Sequence, residues 1–255
     1  MNTDAASVPQ WLQRTELLLD SETVARFSRA HVLVVGLGGV GAFAAESLCR
    51  AGIGEFSLVD ADEVEETNLN RQLLALTNTI GKPKVEVMAE RLLQINPSVK
   101  LHCIHEFLRD ERTIEVLQSA QYDYVVDAID SLSPKVFLLY HAMQCGLKVV
   151  SAMGAGGKMD PMQVRVADIS KTYQCGLAHT VRKRLHKMGV RKGFTAVFSP
   201  ELVREGAVRI EASPETNKLS TVGTISYMPA IFGHFAASVV IRDLAGAFPN
   251  TIVSE

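Results

Sequence analysis

Between His31 and Asp62 the chain runs HVLVVGLGGVGAFAAESLCRAGIGEFSLVDAD, and no other stretch limits the fold as strongly. Val32 to Val35 is an apolar run short enough for a strand buried on both faces, and Gly36-x-Gly38-Gly39-x-Gly41 follows at once. Ala42, Ala45, Leu48 and Cys49 then recur at helical spacing, while Ala44 and Ala51 keep that helix slim enough to lie close on a sheet. A second strand, Phe56 to Val59, stops at Asp60. Glycines so placed let backbone N–H groups approach a phosphate at a helix N-terminus, and a carboxylate one strand away can take ribose hydroxyls. The order predicts an α/β fold: a Rossmann-like, doubly wound, mostly parallel sheet with a nucleotide in its crevice. The glycine pattern alone fits NAD, FAD and ATP.

At 255 residues with 47% hydrophobic side chains, the chain can build a substantial core, and residues 1–255 are expected to form one domain. A net charge of −2, from 26 Lys+Arg against 28 Asp+Glu, excludes a globally basic nucleic-acid binder, so any polyanion site must be local. Cys49, Cys103, Cys145 and Cys175 lie far apart without a C-x-x-C pair. That usage predicts no structural zinc and no disulfide framework, and points to a reducing cytoplasm. Thr221 to Ile241 carries no Asp, Glu, Lys or Arg and is long enough to cross a bilayer. Pro229, Gly233 and His234 interrupt it, which favours a packed core or dimer helix, with 221–244 kept as a candidate membrane contact.

Residues 1 to 10 form a polar start, and a helix is expected from Trp11 to Arg29, with Arg14 beside the apolar Trp11, Leu12, Leu17 and Leu18. After Asp60 the polar stretch from Ala61 to Gln72 is too long for a plain turn. Its place at the carboxyl end of a strand turns Asn68, Asn70, Arg71 and Gln72 toward the crevice. Gly81-Lys82-Pro83-Lys84 opens a helix striped by Val85, Met88, Ala89, Leu92 and Leu93. Two lysines there oppose the helix dipole, and an anion between them resolves the conflict. Val99, Leu101 and Cys103 alternate as a third strand, Asp110 to Ala120 is helical, and Tyr124 to Asp130 is a strand ending in acid. Asp130 is well placed to hold a magnesium ion on phosphates. A helix capped by Ser133-Pro134, a strand from Lys148 to Ala152, the Gly154 to Gly157 turn and a strand from Gln163 to Ala167 complete the core.

Between Asp168 and Glu201 acidic residues are absent, while Lys171, Arg182, Lys183, Arg184, Lys187, Arg191 and Lys192 are all present. A one-sign block in a near-neutral chain can neutralise several phosphates of a nucleic acid, or can be a solvated crossover helix. Thr195 to Phe198 and Ala207 to Ile210 are expected to pair through Ser199-Pro200, and the apolar helical stretch Thr221 to Leu244 closes the fold.

Six motifs together resemble the adenylating enzymes related to ubiquitin-activating enzyme, a family that includes the molybdopterin- and thiamine-synthesis adenylyltransferases. They are GLGGVG at Gly36 to Gly41, LVDAD ending at Asp62, TNLNRQ at Thr67 to Gln72, GKPKVE at Gly81 to Glu86, INP at Ile95 to Pro97 and DAID ending at Asp130. The resemblance covers roughly residues 12–155. It implies that the glycines, Gly38 and Gly39 above all, lie under the ATP phosphates and that Asp60 holds the ribose. It further implies that Arg71, Gln72 and Lys84 contact the triphosphate and that Asp130 binds Mg2+. Arg14, in Arg14-Thr15-Glu16-Leu17-Leu18, would reach across a homodimer interface to the partner's ATP. Asp62, Asn68 and Asn70 belong to the same nucleotide-binding motifs.

In the second half, SAMGAGGKMDP at Ser151 to Pro161, VADISKT at Val166 to Thr172, the basic block over 168–200 and VFSPE at Val197 to Glu201 look like the tRNA threonylcarbamoyladenosine dehydratase branch. That branch uses ATP to activate a carboxylate on tRNA and then closes it into a ring, so the basic block acquires tRNA as a partner. Where some relatives carry a cysteine just before VFS, this chain has Thr195-Ala196, so no catalytic cysteine is assigned. A monovalent cation remains a candidate further ligand. The alternative within the family is activation of the C-terminal glycine of a ubiquitin-like sulfur carrier, with a sulfur-transfer partner protein. Outside it stand a dinucleotide-dependent reductase and a nucleotide sensor.

Overall fold

The structure is a computed structural model and describes residues 8–210 and 220–246. Residues 1–7 of the polar start therefore lie outside the described residues. The expected helix from Trp11 to Arg29 is divided in three: a 3-10 turn at Gln10–Leu12, α1 at Gln13–Leu19 and α2 at Ser21–Phe27. Asp20 makes the break. It sits at φ 74°, and its carboxylate accepts the Thr23 N–H at 2.8 Å, so it ends one helix and caps the next.

The core then runs β1 (His31–Val35), α3 (Gly41–Ala51), β2 (Glu55–Val59), α4 (Lys84–Ile95), β3 (Lys100–Ile104), α5 (Asp110–Gln118) and β4 (Tyr124–Asp127). It continues with α6 (Leu132–Gln144), β5 (Val149–Ala152), β6 (Arg165–Asp168), α7 (Gly176–Lys187) and β7 (Thr195–Phe198). The seven strands stand in the order β3-β2-β1-β4-β5-β7-β6, all parallel except β6, which runs against β7. The first crossovers step outward one way from β1 and the later ones step the other way from β4. The direction reverses between β1 and β4, and that is where a doubly wound sheet opens its crevice at the carboxyl ends of the strands.

Each strand buried on both faces feeds two cores. Val32, Val34, Phe56 and Leu58 pack with α3, α4 and the last helix, whereas Leu33, Val35 and Val59 pack with α5, α6 and α7. This accounts for the unbroken apolar run of β1, since alternation would leave one layer unsupported.

The C-terminal part corrects two expectations. Thr195 to Phe198 is not half of a hairpin: as β7 it enters the main sheet beside β5 and β6. The strand pair is instead β8 (Val208–Ile210) with β9 (Ser220–Val222), antiparallel and apart from the main sheet. The closing helix, α8, accordingly spans Tyr227–Ala245 and not Thr221 to Leu244. It is long and apolar enough to cross a membrane, yet half of it is buried inside the fold. Gly233 explains the close contact: a Cβ there would lie 2.4 Å from the Val40 carbonyl and 2.9 Å from Phe43 Cβ on α3. The interruption in the apolar stretch is thus the point where two helices touch.

Candidate active site

Gly36 leaves β1 at φ +90°, and a Cβ on it would meet the Ala128 carbonyl at 2.8 Å, so the loop after β4 crosses directly over the turn. Gly39 is closed by Pro229 of α8, 2.9 Å from where its Cβ would be, and by the Arg71 carbonyl at 3.3 Å. Gly38 differs. Among the described residues a Cβ there would meet only the Gln72 side-chain amide, 3.8 Å away. Packing does not demand glycine at 38; an approaching phosphate would, because a side chain would stand between it and the α3 N-terminus.

Asp60 ends β2 beside this turn. One carboxylate oxygen accepts the Leu37 N–H at 2.5 Å and the other the Asp62 N–H at 2.8 Å. Burial pushes its carboxyl above the usual aspartate range, against the downward pull of the Lys84 charge and the two backbone donors. Each oxygen keeps acceptor capacity for a ribose hydroxyl.

Lys84 begins α4 and is buried. Its Nζ lies 2.7 Å from Asp62 Oδ2, and its own N–H donates to the Asp62 carbonyl at 3.0 Å. Asp62, whose side chain is largely exposed, supplies negative charge at this helix start. A triphosphate would compete for the same ammonium group.

Of the four polar residues expected to face the crevice, two instead build the loop. Asn68 is buried, its Oδ1 accepts the Glu65 N–H, and its carbonyl accepts the N–H groups of Arg71 and Gln72. Asn70 donates to the Thr224 carbonyl at 3.0 Å, tying this loop to the segment after β9. Among the described residues Arg71 Nη1 donates to two neutral oxygens, the Thr67 carbonyl at 2.9 Å and Asn70 Oδ1 at 2.8 Å. At the turn itself, the Gln72 side chain stands over Gly38 and the Arg71 backbone carbonyl lies against Gly39.

Asp130 is exposed on the loop after β4. Beneath it lies a group that the sequence reasoning missed. Asp127 and Lys135 are both fully buried and 2.7 Å apart, Ser151 Oγ donates to the same Asp127 oxygen, and the other oxygen accepts the Ile129 N–H. Lys135 Nζ also donates to the Ile129 carbonyl at 2.9 Å, so residue 129 is gripped from both sides. The available signal was a lysine on the face of α6 shared with Leu139 and Ala142, which is a buried face. A second missed device is Glu201, whose carboxylate accepts the Met159 and Asp160 N–H groups and whose carbonyl accepts Lys158 Nζ. It fastens residues 158–160, just after the Gly154 to Gly157 turn, to the segment that follows β7.

The other expected residues lie further out. Arg14 is exposed on α1, while Leu12 packs on Gly52 at the far end of α3, about 16 Å from the glycine turn along the helix axis. The chain does not bring Arg14 to its own turn. In the basic block, Lys171, Lys183, Lys187, Arg191 and Lys192 are exposed. Arg182 turns inward onto the Thr172 carbonyl and hydroxyl, and so holds the chain before α7 together. Arg184 Nη1 donates to Ser133 Oγ at 2.8 Å, which puts the basic helix against the start of α6, three residues from Asp130. Cys49 and Cys175 are buried and Cys103 and Cys145 exposed; burial pushes the Cys49 thiol up to about 12.

The ThiF family model matches residues 12–254. A Bacillus subtilis protein named tRNA threonylcarbamoyladenosine dehydratase is 37% identical over 238 residues, 91% of this chain and 93% of that protein. The crystal structure of the Escherichia coli tRNA N6-threonylcarbamoyladenosine dehydratase, TcdA, in complex with ATP superposes with a TM-score of 0.83. It is 36% identical and covers 96% of this chain and 97% of that one. A Thermus thermophilus sulfur carrier protein adenylyltransferase is 38% identical, but over 125 residues, 49% of this chain and 45% of that protein. With a family match that runs through nucleotide crevice, basic helix and closing helix alike, the chain belongs to the ThiF family.

Proposed function

We propose that this protein is an ATP-dependent tRNA threonylcarbamoyladenosine dehydratase. The observation that carries the reading is the similarity to dehydratases over nine-tenths of the chain, against about half of it for the Thermus thermophilus sulfur carrier protein adenylyltransferase. A carboxylate oxygen of the modified nucleoside attacks the α-phosphorus of ATP, pyrophosphate leaves, and a nucleophile of the same side chain then displaces AMP. The nucleoside loses one water in the sum.

The residues suit that sequence. Gly38 leaves space for phosphate, Asp60 takes the ribose, and Arg71, Gln72 and Lys84 stabilise charge on the departing pyrophosphate. An exposed carboxylate such as Asp130, on a loop crossing the glycine turn, fits Mg2+, which is commonly held by one or two carboxylates plus phosphates. Bound there, the ion would neutralise phosphate charge. Arg14, remote from its own turn, would complete the site of a second copy in a homodimer. The groove between α6 and α7, floored by Val136, Phe137 and Met188 and rimmed by Arg184 and Lys187, offers an aromatic face and cations to tRNA bases and phosphates. We assign the whole of 1–255 to one adenylating domain acting in the cytoplasm.

The test is incubation with ATP, Mg2+ and tRNA bearing threonylcarbamoyladenosine, followed by mass analysis of nucleosides. Loss of one water with the parent chain, and none with Asp130→Ala, is expected. An unchanged nucleoside mass with the parent chain would overturn the assignment.

A further inference from the structure

At the N-terminal edge of the sheet, opposite the glycine turn, three metal-ligating side chains meet. His31 opens β1, Glu55 opens β2, and His102 is the third residue of β3. Register pairs His31 with Glu55 and Ser57 with His102, and the two-residue repeat of parallel strands brings all four to one face. His31 Nδ1 is 3.7 Å and His102 Nε2 2.8 Å from the same Glu55 oxygen. One ligand atom from each of the three residues lies within 4.8 Å of the other two.

Behind His31, Nε2 is 3.0 Å from Ser57 Oγ, which also accepts the Tyr122 hydroxyl at 3.3 Å, and the Tyr122 ring packs edge-on at 4.7 Å. With Nε2–H donating to Ser57, the Nδ1 lone pair faces Glu55. Metal-bound histidines are ordinarily oriented in this way by an outer partner.

We propose that His31, Glu55 and His102 form a zinc-binding site with a fourth position open to water. Two imidazoles and one carboxylate select Zn2+ over the oxygen-seeking Mg2+ and Ca2+. Bonds of about 2.0–2.1 Å in tetrahedral geometry set ligand atoms about 3.4 Å apart, between the two separations seen here. His102, more than half exposed, is free to make that adjustment. Lys100, 3.8 Å from the other Glu55 oxygen, is 76% exposed, and Asp123 is engaged by the His31 N–H at 2.8 Å. The site lies about 16 Å from Gly36 along β1, so it is separate from the nucleotide crevice and would bind together the first three strands. The expectation of no structural zinc rested on the cysteine spacing and did not weigh these two histidines with Glu55.

The test titrates the full chain with Zn2+ alone against a chromophoric chelator, beside His102→Ala and Glu55→Gln. One equivalent per chain is expected for the parent and loss of that equivalent in both variants, with ATP binding unchanged in all three. Co2+ in the parent should give the visible bands of a four-coordinate ion without a sulfur charge-transfer band. Absence of stoichiometric binding in the parent, retention of the equivalent in both variants, or a sulfur band would each overturn the proposal.

Discussion

The Lys135 ammonium and the Asp127 carboxylate are both inaccessible to solvent, and they hold the loop that carries Asp130. Lys135→Met keeps length and volume, so little cavity term is added. It leaves a buried carboxylate with one hydroxyl and one N–H, and it orphans the Ile129 carbonyl. Breaking a buried pair from one side costs about 3–5 kcal/mol. For a chain of this size each kcal/mol lowers Tm by about 2–4 °C, so the variant should melt about 10 °C early. Asp127→Asn combined with Lys135→Met removes both charges, and the amide introduced in place of the carboxylate can still accept from Ser151 or Ile129. The double variant should regain at least half of the loss. Urea unfolding of the four proteins gives the cycle, and tRNA-dependent ATP–pyrophosphate exchange, measured where all remain folded, reports on Asp130. We expect Lys135→Met to need more Mg2+ for the same exchange rate. Single losses that simply add, or a Lys135→Met protein within about 1 kcal/mol of the parent, would refute the coupling.

Three further outcomes are expected. Reversing Lys183, Lys187 and Arg191 to Glu should weaken tRNA binding and flatten its salt dependence by about one unit of log–log slope for each phosphate no longer neutralised, with ATP affinity unchanged; an unaltered slope would make α7 a solvated face. Arg14→Ala and Lys84→Ala proteins, each inactive alone, should recover about one quarter of parent activity when mixed, since half the dimers would hold one intact site of two; absence of recovery would remove Arg14 from the partner's site. Burial alone would raise the Glu46 carboxyl, but hydrogen bonds from Arg91 and Arg50 outweigh it and hold the group below the usual glutamate range. Such a group stabilises the fold above its unfolded pKa, and that contribution is lost as pH falls through the lower folded value. Arg91→Leu should therefore cost about 1 kcal/mol at neutral pH and progressively less below the ordinary glutamate range; a deficit that does not change with pH would contradict this.

The strand, glycine turn, helix and acid of residues 31–62 were legible because each is a local property. Apolar periodicity sets element type within a few residues, and a glycine at a strand-to-helix turn shows the need for close approach. The basic block was equally visible as composition. What could not be seen were choices between equivalent partners. Val197 and Val208 both sit in plausible strands, and only assembly of the sheet puts β7 beside β5 and leaves β8 to β9. Asn68 and Asn70 have the chemistry of nucleotide ligands, yet backbone groups of their own loop and of Thr224 lay nearer. Lys84 required an anion by its place on the helix, and which anion depended on how the Asp62 loop folded back.

By itself, then, the order of residues determined a doubly wound fold with a glycine turn between its first strand and helix, because those follow from spacing along one chain. The tertiary structure alone decided which polar groups remain available to a ligand and which are spent on one another, as with Asp127 and Lys135. That division depends on distances between segments far apart in sequence, and on the cost of leaving a charge buried without a partner.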